Sequence, residues 1–307
     1  MRLIHGVHNF KPLSSNIALT LGFFDGVHRG HQLLIKKLIN AAEEIDGTSV
    51  VLTFDSHPLR VIAPDKLPPR IMTLTERLEH LIELGVDQII VQPFDDKFAE
   101  VTAEQFLEKI IKRKLKAKAI IGGYDCHFGK NREGNLNSLK KYAEENECIF
   151  YEVPPLVIDN KIVSSTAIRK AILNGDFHLA ETFLGRPWTI RALVVKGHRV
   201  GRIIGYPTAN LDVHFLTLPK EGVYAAYAEI QGAKYKAIMY IGTRPTFDTE
   251  AAELACEVFI MGFSEDLYGK WLKVQPVKRL RDDVKFSSKE ELKKQIAIDV
   301  DNAFDIL

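Results

Sequence analysis

Along residues 1–185 the spacing of apolar positions switches repeatedly between two periods. Ile17, Leu19 and Leu21 alternate toward Gly22, as in a strand. From about Gly30 to Glu44 the apolar residues Leu33, Leu34, Leu38, Ile39 and Ala42 return on one side of a helix. Ser49–Phe54, Gln88–Val91, Ala119–Ile121 and Ile149–Val153 read as further short strands. Thr73 with Glu76 spells a capping box ahead of a helix over Arg77–Leu84, and Thr102 with Gln105 spells another ahead of Phe106–Leu115. A further helix is expected near Ser138–Glu145. Strands separated by helices predict right-handed crossovers and a parallel sheet, an α/β Rossmann-like domain.

The pattern changes near Leu184–Pro187. Beyond it lie mostly strands: Arg191–Val195, Val223–Ile230, Tyr235–Ile241, Cys256–Met261 and Lys273–Val277, separated by Gly, Pro and Asp. One helix closes the chain, with Ser287 and Glu290 as its expected capping box. Many short strands with alternating faces predict an antiparallel β-barrel followed by a C-terminal helix. A chain of 307 residues is long for one core, so two domains are expected, 1–184 and 185–307.

Charge narrows the partners. Lys plus Arg number 41 against 40 Asp plus Glu, which gives no electrostatic argument for nucleic acid or an anionic membrane. A local basic pocket for a small anion stays open. Cys126, Cys148 and Cys256 form no C-x-x-C pair, so neither a zinc knuckle nor a dithiol redox site is expected, and their small number fits a reducing cytoplasm. Residues 1–12 lack the roughly 7–15-residue apolar core of a signal peptide. No apolar run reaches the ~18 residues of a membrane span. A cytoplasmic chain, monomeric or weakly oligomeric, is the expectation.

The segment GFFDGVHRGH, Gly22–His31, sits where a strand ends and a helix begins. In open parallel sheets, ligands bind beyond the carboxyl ends of the strands, and a helix N-terminus offers free N–H groups to phosphate. Gly22, Gly26 and Gly30 let backbone approach a ligand closely. His28 and His31, one turn apart, can face the same phosphates. Two other readings of the pair are metal ligation, for which no third ligand is near, and ordinary surface histidines, against which the strand, glycines and helix start weigh.

This segment resembles the HxGH signature of the nucleotidyltransferase superfamily, and more narrowly the bifunctional riboflavin kinase/FMN adenylyltransferases. TFDSHP (Thr53–Pro58), GYDCHFGKNREG (Gly123–Gly134), VSSTAIRKAI (Val163–Ile172) and GDFHLAETFLGRPW (Gly175–Trp188) resemble that family's motifs in the same order. The resemblance implies transfer of AMP from ATP to FMN, giving FAD and pyrophosphate. It places Gly22, Phe23, Asp25, Gly26, Asp125, Ser164, Ser165 and Thr166 at the nucleotide, with His28, His31 and Arg169 at the reacting phosphates. A phosphate monoester, with a second pKa of about 6, is already mostly dianionic at neutral pH. Such a site needs positive charge and N–H donors more than a general base.

VKGHRVGRIIGYPTANL, Val195–Leu211, resembles the riboflavin kinase motif; it is not a Walker A loop, because no G-K-[ST] follows its glycines. By resemblance Thr208 and Asn210 hold Mg²⁺ with the ATP phosphates, and Gly197, Gly201, Arg202 and Gly205 wrap the nucleotide. Riboflavin offers a neutral alcohol, for which a base is useful, and the matching residue is Glu257, on the strand face opposite Cys256 and Val258. Arg281 matches a flavin-site position, while Trp271 and Phe286 read as core. Four positions depart from the family pattern: Ser56 for a proline, Cys126 for an aromatic, Phe259 for a histidine and Tyr240 for a frequent asparagine. These departures keep open an FAD synthetase with a weak kinase. A non-catalytic flavin-binding regulator is disfavoured by the retained histidines, Arg169, Thr208, Asn210 and Glu257. A tRNA-acting synthetase is disfavoured by the absence of a K-M-S-K-S segment.

Overall fold

A computed structural model describes residues 1–197, 205–244 and 253–307. The chain divides into two compact units, one of residues 1–68 and 73–165, the other of residues 69–72 and 166–307.

The first unit is built on six parallel strands. They are β1 (Arg2–His5), β2 (Ile17–Leu21), β3 (Thr48–Phe54), β4 (Gln88–Gln92), β5 (Ala117–Gly123) and, after a short β6–β7 hairpin (His127–Phe128, Gly134–Asn135), β8 (Ile149–Val153). Their order across the sheet is β1-β4-β3-β2-β5-β8. The central strands are buried on both faces: Ile17, Leu19, Val50, Leu52, Ile89, Ile90 and Ile120 are at most 1% exposed, as crossover helices over a parallel sheet require. From β2 the chain runs outward to β3 and β4, then jumps back to β5 on the other side. That reversal puts a crevice beyond the carboxyl ends of β2 and β5, where such sheets bind ligands. A second hairpin, β9 (Val157–Ile158) with β10 (Lys161–Ile162), closes the unit.

Helix α1 spans Arg29–Glu44 and buries Leu34, Ile35, Leu38, Ala41 and Ala42. The apolar face is therefore rotated from the one its sequence suggests: Leu33 is 41% exposed. Thr73 and Glu76 do form the reciprocal capping box, and the helix they start runs Leu74–Glu83.

In the second unit, β11 (Ile190–Val195), β12 (Thr208–Leu211), β13 (Gly222–Ile230), β14 (Ala233–Arg244), β15 (Glu253–Ile260) and β16 (Trp271–Arg281) close an antiparallel barrel in the order β11-β12-β15-β14-β13-β16. Tyr224, Ala226, Met239, Ile241, Cys256, Val258, Leu272 and Val274 fill it. The C-terminal helix Lys289–Ile306 lies on the barrel's outer face, where Val300 and Ala303 meet Val223, Ala225 and Ile238. Its N-cap is Ser288, which accepts from the Glu291 N–H, one residue beyond the expected Ser287 and Glu290. Trp271 is no core residue: it is 60% exposed beside Arg191, while Phe286 is half-buried beside Arg281.

Candidate active sites

In the first unit the turn after β2 is strained. Phe24 (φ 59°) and Val27 (φ 38°) join Gly26 (φ 84°) in left-handed conformations. For bulky or β-branched residues this costs on the order of 1–3 kcal/mol each, and surrounding packing must enforce it. Phe24 and Val27 are accordingly buried, and the Val27 N–H donates to the Phe24 carbonyl (3.1 Å). Gly22 packs tightly under the Phe24 ring, where a Cβ would fall at 3.0 Å. Asp25 is buried, and its carbonyl accepts the Ser165 hydroxyl (2.8 Å), which brings the two motifs together at one turn.

His28 is the N-cap of α1, and its Nδ1 accepts from the His31 N–H (3.3 Å). A neutral His28 in that bond carries its proton on Nε2. The two imidazoles stack with centroids 3.6 Å apart, and Phe24 meets His31 edge-on. Two imidazolium charges at that separation would repel by about 4–5 kcal/mol at an effective dielectric near 20, so they are not charged together. Burial, then His28 and Arg77, hold His31 well below the ordinary imidazole value of 6.5. Its Nδ1 is buried and has no hydrogen-bond partner, although the ring edge keeps some surface. An orphaned polar atom beside a helix start is what a ligand would satisfy. Without a ligand, His31 is therefore held toward the neutral imidazole, which can still donate an N–H.

Asp125 follows β5, the strand paired with β2, and is exposed. The neighbouring Cys126 packs against the unit's core, and burial, with the Asp125 charge, pushes its thiol up to about 12. Arg169 belongs to the second unit, where its Nε donates to the Pro69 carbonyl (2.7 Å), and Thr166 is exposed in that unit at the start of the same helix.

On the barrel, β-register brings the other candidates onto one rung. Asn210 faces Glu257, Glu257 faces Tyr240, Tyr240 faces Val223 and Val223 faces Arg281. Buried Cys256 and Val258 put Glu257 on the outer face, as alternation requires. The Thr208 hydroxyl donates to Glu257 Oε2 (2.7 Å). Gly197 lies against Asn210 so closely that a Cβ would fall 2.3 Å from the amide nitrogen. Hydroxyl, amide and carboxylate oxygens gathered around a backbone cradle are hard donors suited to Mg²⁺. Among the described residues, no three His, Cys, Asp or Glu side chains group as metal ligands. Gly201 and Arg202 lie outside the described residues, and Gly205 takes a φ of 93° with open space around it.

Against models of protein families, residues 11–167 match FAD synthetase and residues 184–307 match riboflavin kinase. A Haemophilus influenzae protein named bifunctional riboflavin kinase/FMN adenylyltransferase is 36% identical over 99% of this chain and 98% of its own. Its namesake from Escherichia coli K12 is 37% identical, covering 97% and 96%. This chain belongs to the bifunctional riboflavin kinase/FMN adenylyltransferase family. A third family member so named, from Bacillus subtilis, is 34% identical over 99% of this chain and 96% of its own. A crystal structure described as a macrolide-efflux protein from Streptococcus pneumoniae superposes with a TM-score of 0.83 at 34% identity, covering 97% of each chain. Among the described residues, no helix here is long and apolar enough to cross a membrane.

Within this family fold, Arg281 is committed to the C-terminal helix. Its Nε and Nη2 grip the buried Asp299 carboxylate at 2.8–3.0 Å, and its Nη1 donates to the Asp282 carbonyl (3.0 Å). The sequence reading passed over Arg77, which is buried and donates to the Phe23 carbonyl in the turn after β2. A signal was present: Arg77 and Leu81 lie four apart on the buried face of an amphipathic helix, where a cation needs a reason.

Proposed function

We propose that the chain phosphorylates riboflavin with ATP to FMN on its barrel and then adenylylates FMN with a second ATP to FAD on its parallel-sheet unit. The observation that carries this is the orphaned, uncharged His31 stacked on His28 at the N-terminus of α1, in a chain whose other unit pairs Thr208 with Glu257. The functional boundary is placed near Gly185, supported by the riboflavin kinase match beginning at residue 184. The cytoplasm is the proposed compartment, supported by three free cysteines.

In the kinase step, Glu257 Oε takes the proton of the riboflavin 5′-hydroxyl as that oxygen attacks the γ-phosphorus of ATP, and ADP leaves. Thr208, by donating to Oε2, orients the carboxylate. Thr208 and Asn210 would hold Mg²⁺, which when bound neutralises phosphate charge. In the adenylyl step, an FMN phosphate oxygen attacks the α-phosphorus of ATP and pyrophosphate departs. No proton need be removed from FMN. His31 donates an N–H toward the phosphates, and the backbone at the start of α1 adds free donors.

The test is direct. Incubated with riboflavin, ATP and Mg²⁺, the protein should form FMN and then FAD, resolved by chromatography; no flavin product would sink the proposal.

A further inference from the structure

Beneath the nucleotide turn lies a cation that cannot reach a ligand. Arg77 is 3% exposed. Its Nη1 donates to the Phe23 carbonyl (2.7 Å) and its Nη2 to the Phe54 carbonyl. Its guanidinium carbon sits 4.2 Å from the Phe23 ring centroid, and His57 packs edge-on against that ring at 4.7 Å. The Phe23 carbonyl also accepts the Thr53 hydroxyl (3.3 Å). The Phe23 carbonyl lies two residues past the end of β2, and the Phe54 carbonyl belongs to the last residue of β3, within the GFFDG and TFDSHP segments.

Ordinary packing does not explain this residue. Burying a charge is costly unless it is fully paired, and a methionine would fill similar space without that cost. Arg77 is also the fourth residue of the helix that Thr73 caps, and the dipole at a helix start disfavours a cation. What only a guanidinium offers is a rigid planar fork that can hold two carbonyls, one on a turn and one at a strand end, at a fixed spacing.

We infer that Arg77 is a positioning residue for FMN adenylylation: its fork locks the turn that carries His28 and His31 to the carboxyl end of β3, without touching substrate. This rests on the proposed two-step function. A positioning fault of about 1 Å can cost on the order of 10²-fold in rate. The full-length protein should therefore be compared with Arg77→Met and Arg77→Lys, measuring FAD formation from supplied FMN, FMN formation from riboflavin, and thermal unfolding. At a temperature where unfolding shows the variants folded, kcat for FAD formation should fall about 10–100-fold in Arg77→Met. The KM values for FMN and ATP should change little, Arg77→Lys should fall between, and FMN formation should match wild type. Unchanged kcat in a folded variant overturns the inference, as does a rise in KM alone or an activity loss tracking only the unfolded fraction. If the wild-type protein makes no FAD from FMN, the adenylyltransferase assignment itself fails, which is a separate result.

Discussion

His31 shows how far a single residue can be read from sequence. The spacing of His28 and His31 was legible, because an H-x-x-H at a strand-to-helix turn puts both rings on one side. The charge of His31 was not, because it depends on burial, on the stacked His28 and on Arg77, 46 residues away in sequence. Replacing His31 with Ala should let FMN accumulate from riboflavin while FAD formation collapses, followed by chromatography; undiminished FAD output would contradict the role. The depressed pKa also sets a sign. Below about 6.5 the unfolded chain protonates this imidazole and the folded chain does not, so the stability it contributes is complete above pH 6.5 and is lost as pH falls toward the folded value. Urea melts of wild type and His31→Gln from pH 7.5 to 5 should show the wild type losing more stability on acidification. Gly197 gives a prediction on the barrel: Gly197→Ala would drive a methyl into the Asn210 amide. FMN formation should drop at least tenfold while supplied FMN is still adenylylated, measured as initial rates of each step.

At the scale of elements, strands with two-residue periodicity and capped helices were readable, whereas short polar strands were not. β1 has four residues, three of them exposed at a sheet edge, and carries too little apolar pattern. β12 is Thr208-Ala-Asn-Leu, whose outward side chains belong to the proposed kinase site, so function displaced the hydrophobic alternation. The face of α1 was misread because Leu33, Leu34 and Ile35 are consecutive apolar residues, and only the sheet decides which are covered. Arg281 matches a flavin position by sequence, and the fold uses it to hold the C-terminal helix through Asp299. Asp299→Ala leaves that guanidinium without its buried carboxylate, so the barrel should lose about 3–5 kcal/mol in denaturant titration. A loss below about 1 kcal/mol would show that the helix is held mainly by its apolar contacts with Val223, Ala225 and Ile238.

For the whole molecule, the change from alternating strands and helices to strands alone was visible in the sequence, and both the parallel sheet and the closed barrel follow from it. Residues 166–184 were less legible: they fall before the switch in pattern yet pack with the second unit, because Ile168, Ile172 and Phe183 need apolar surface and the sequence does not say whose. The account's central claim is that two separate sites act in series, with Glu257 serving only the first. The most direct test is Glu257→Gln, assayed twice. Given riboflavin and ATP, the variant should form almost no FMN; given FMN and ATP, it should form FAD at the wild-type rate. Equal loss of both steps in a folded variant would contradict the account.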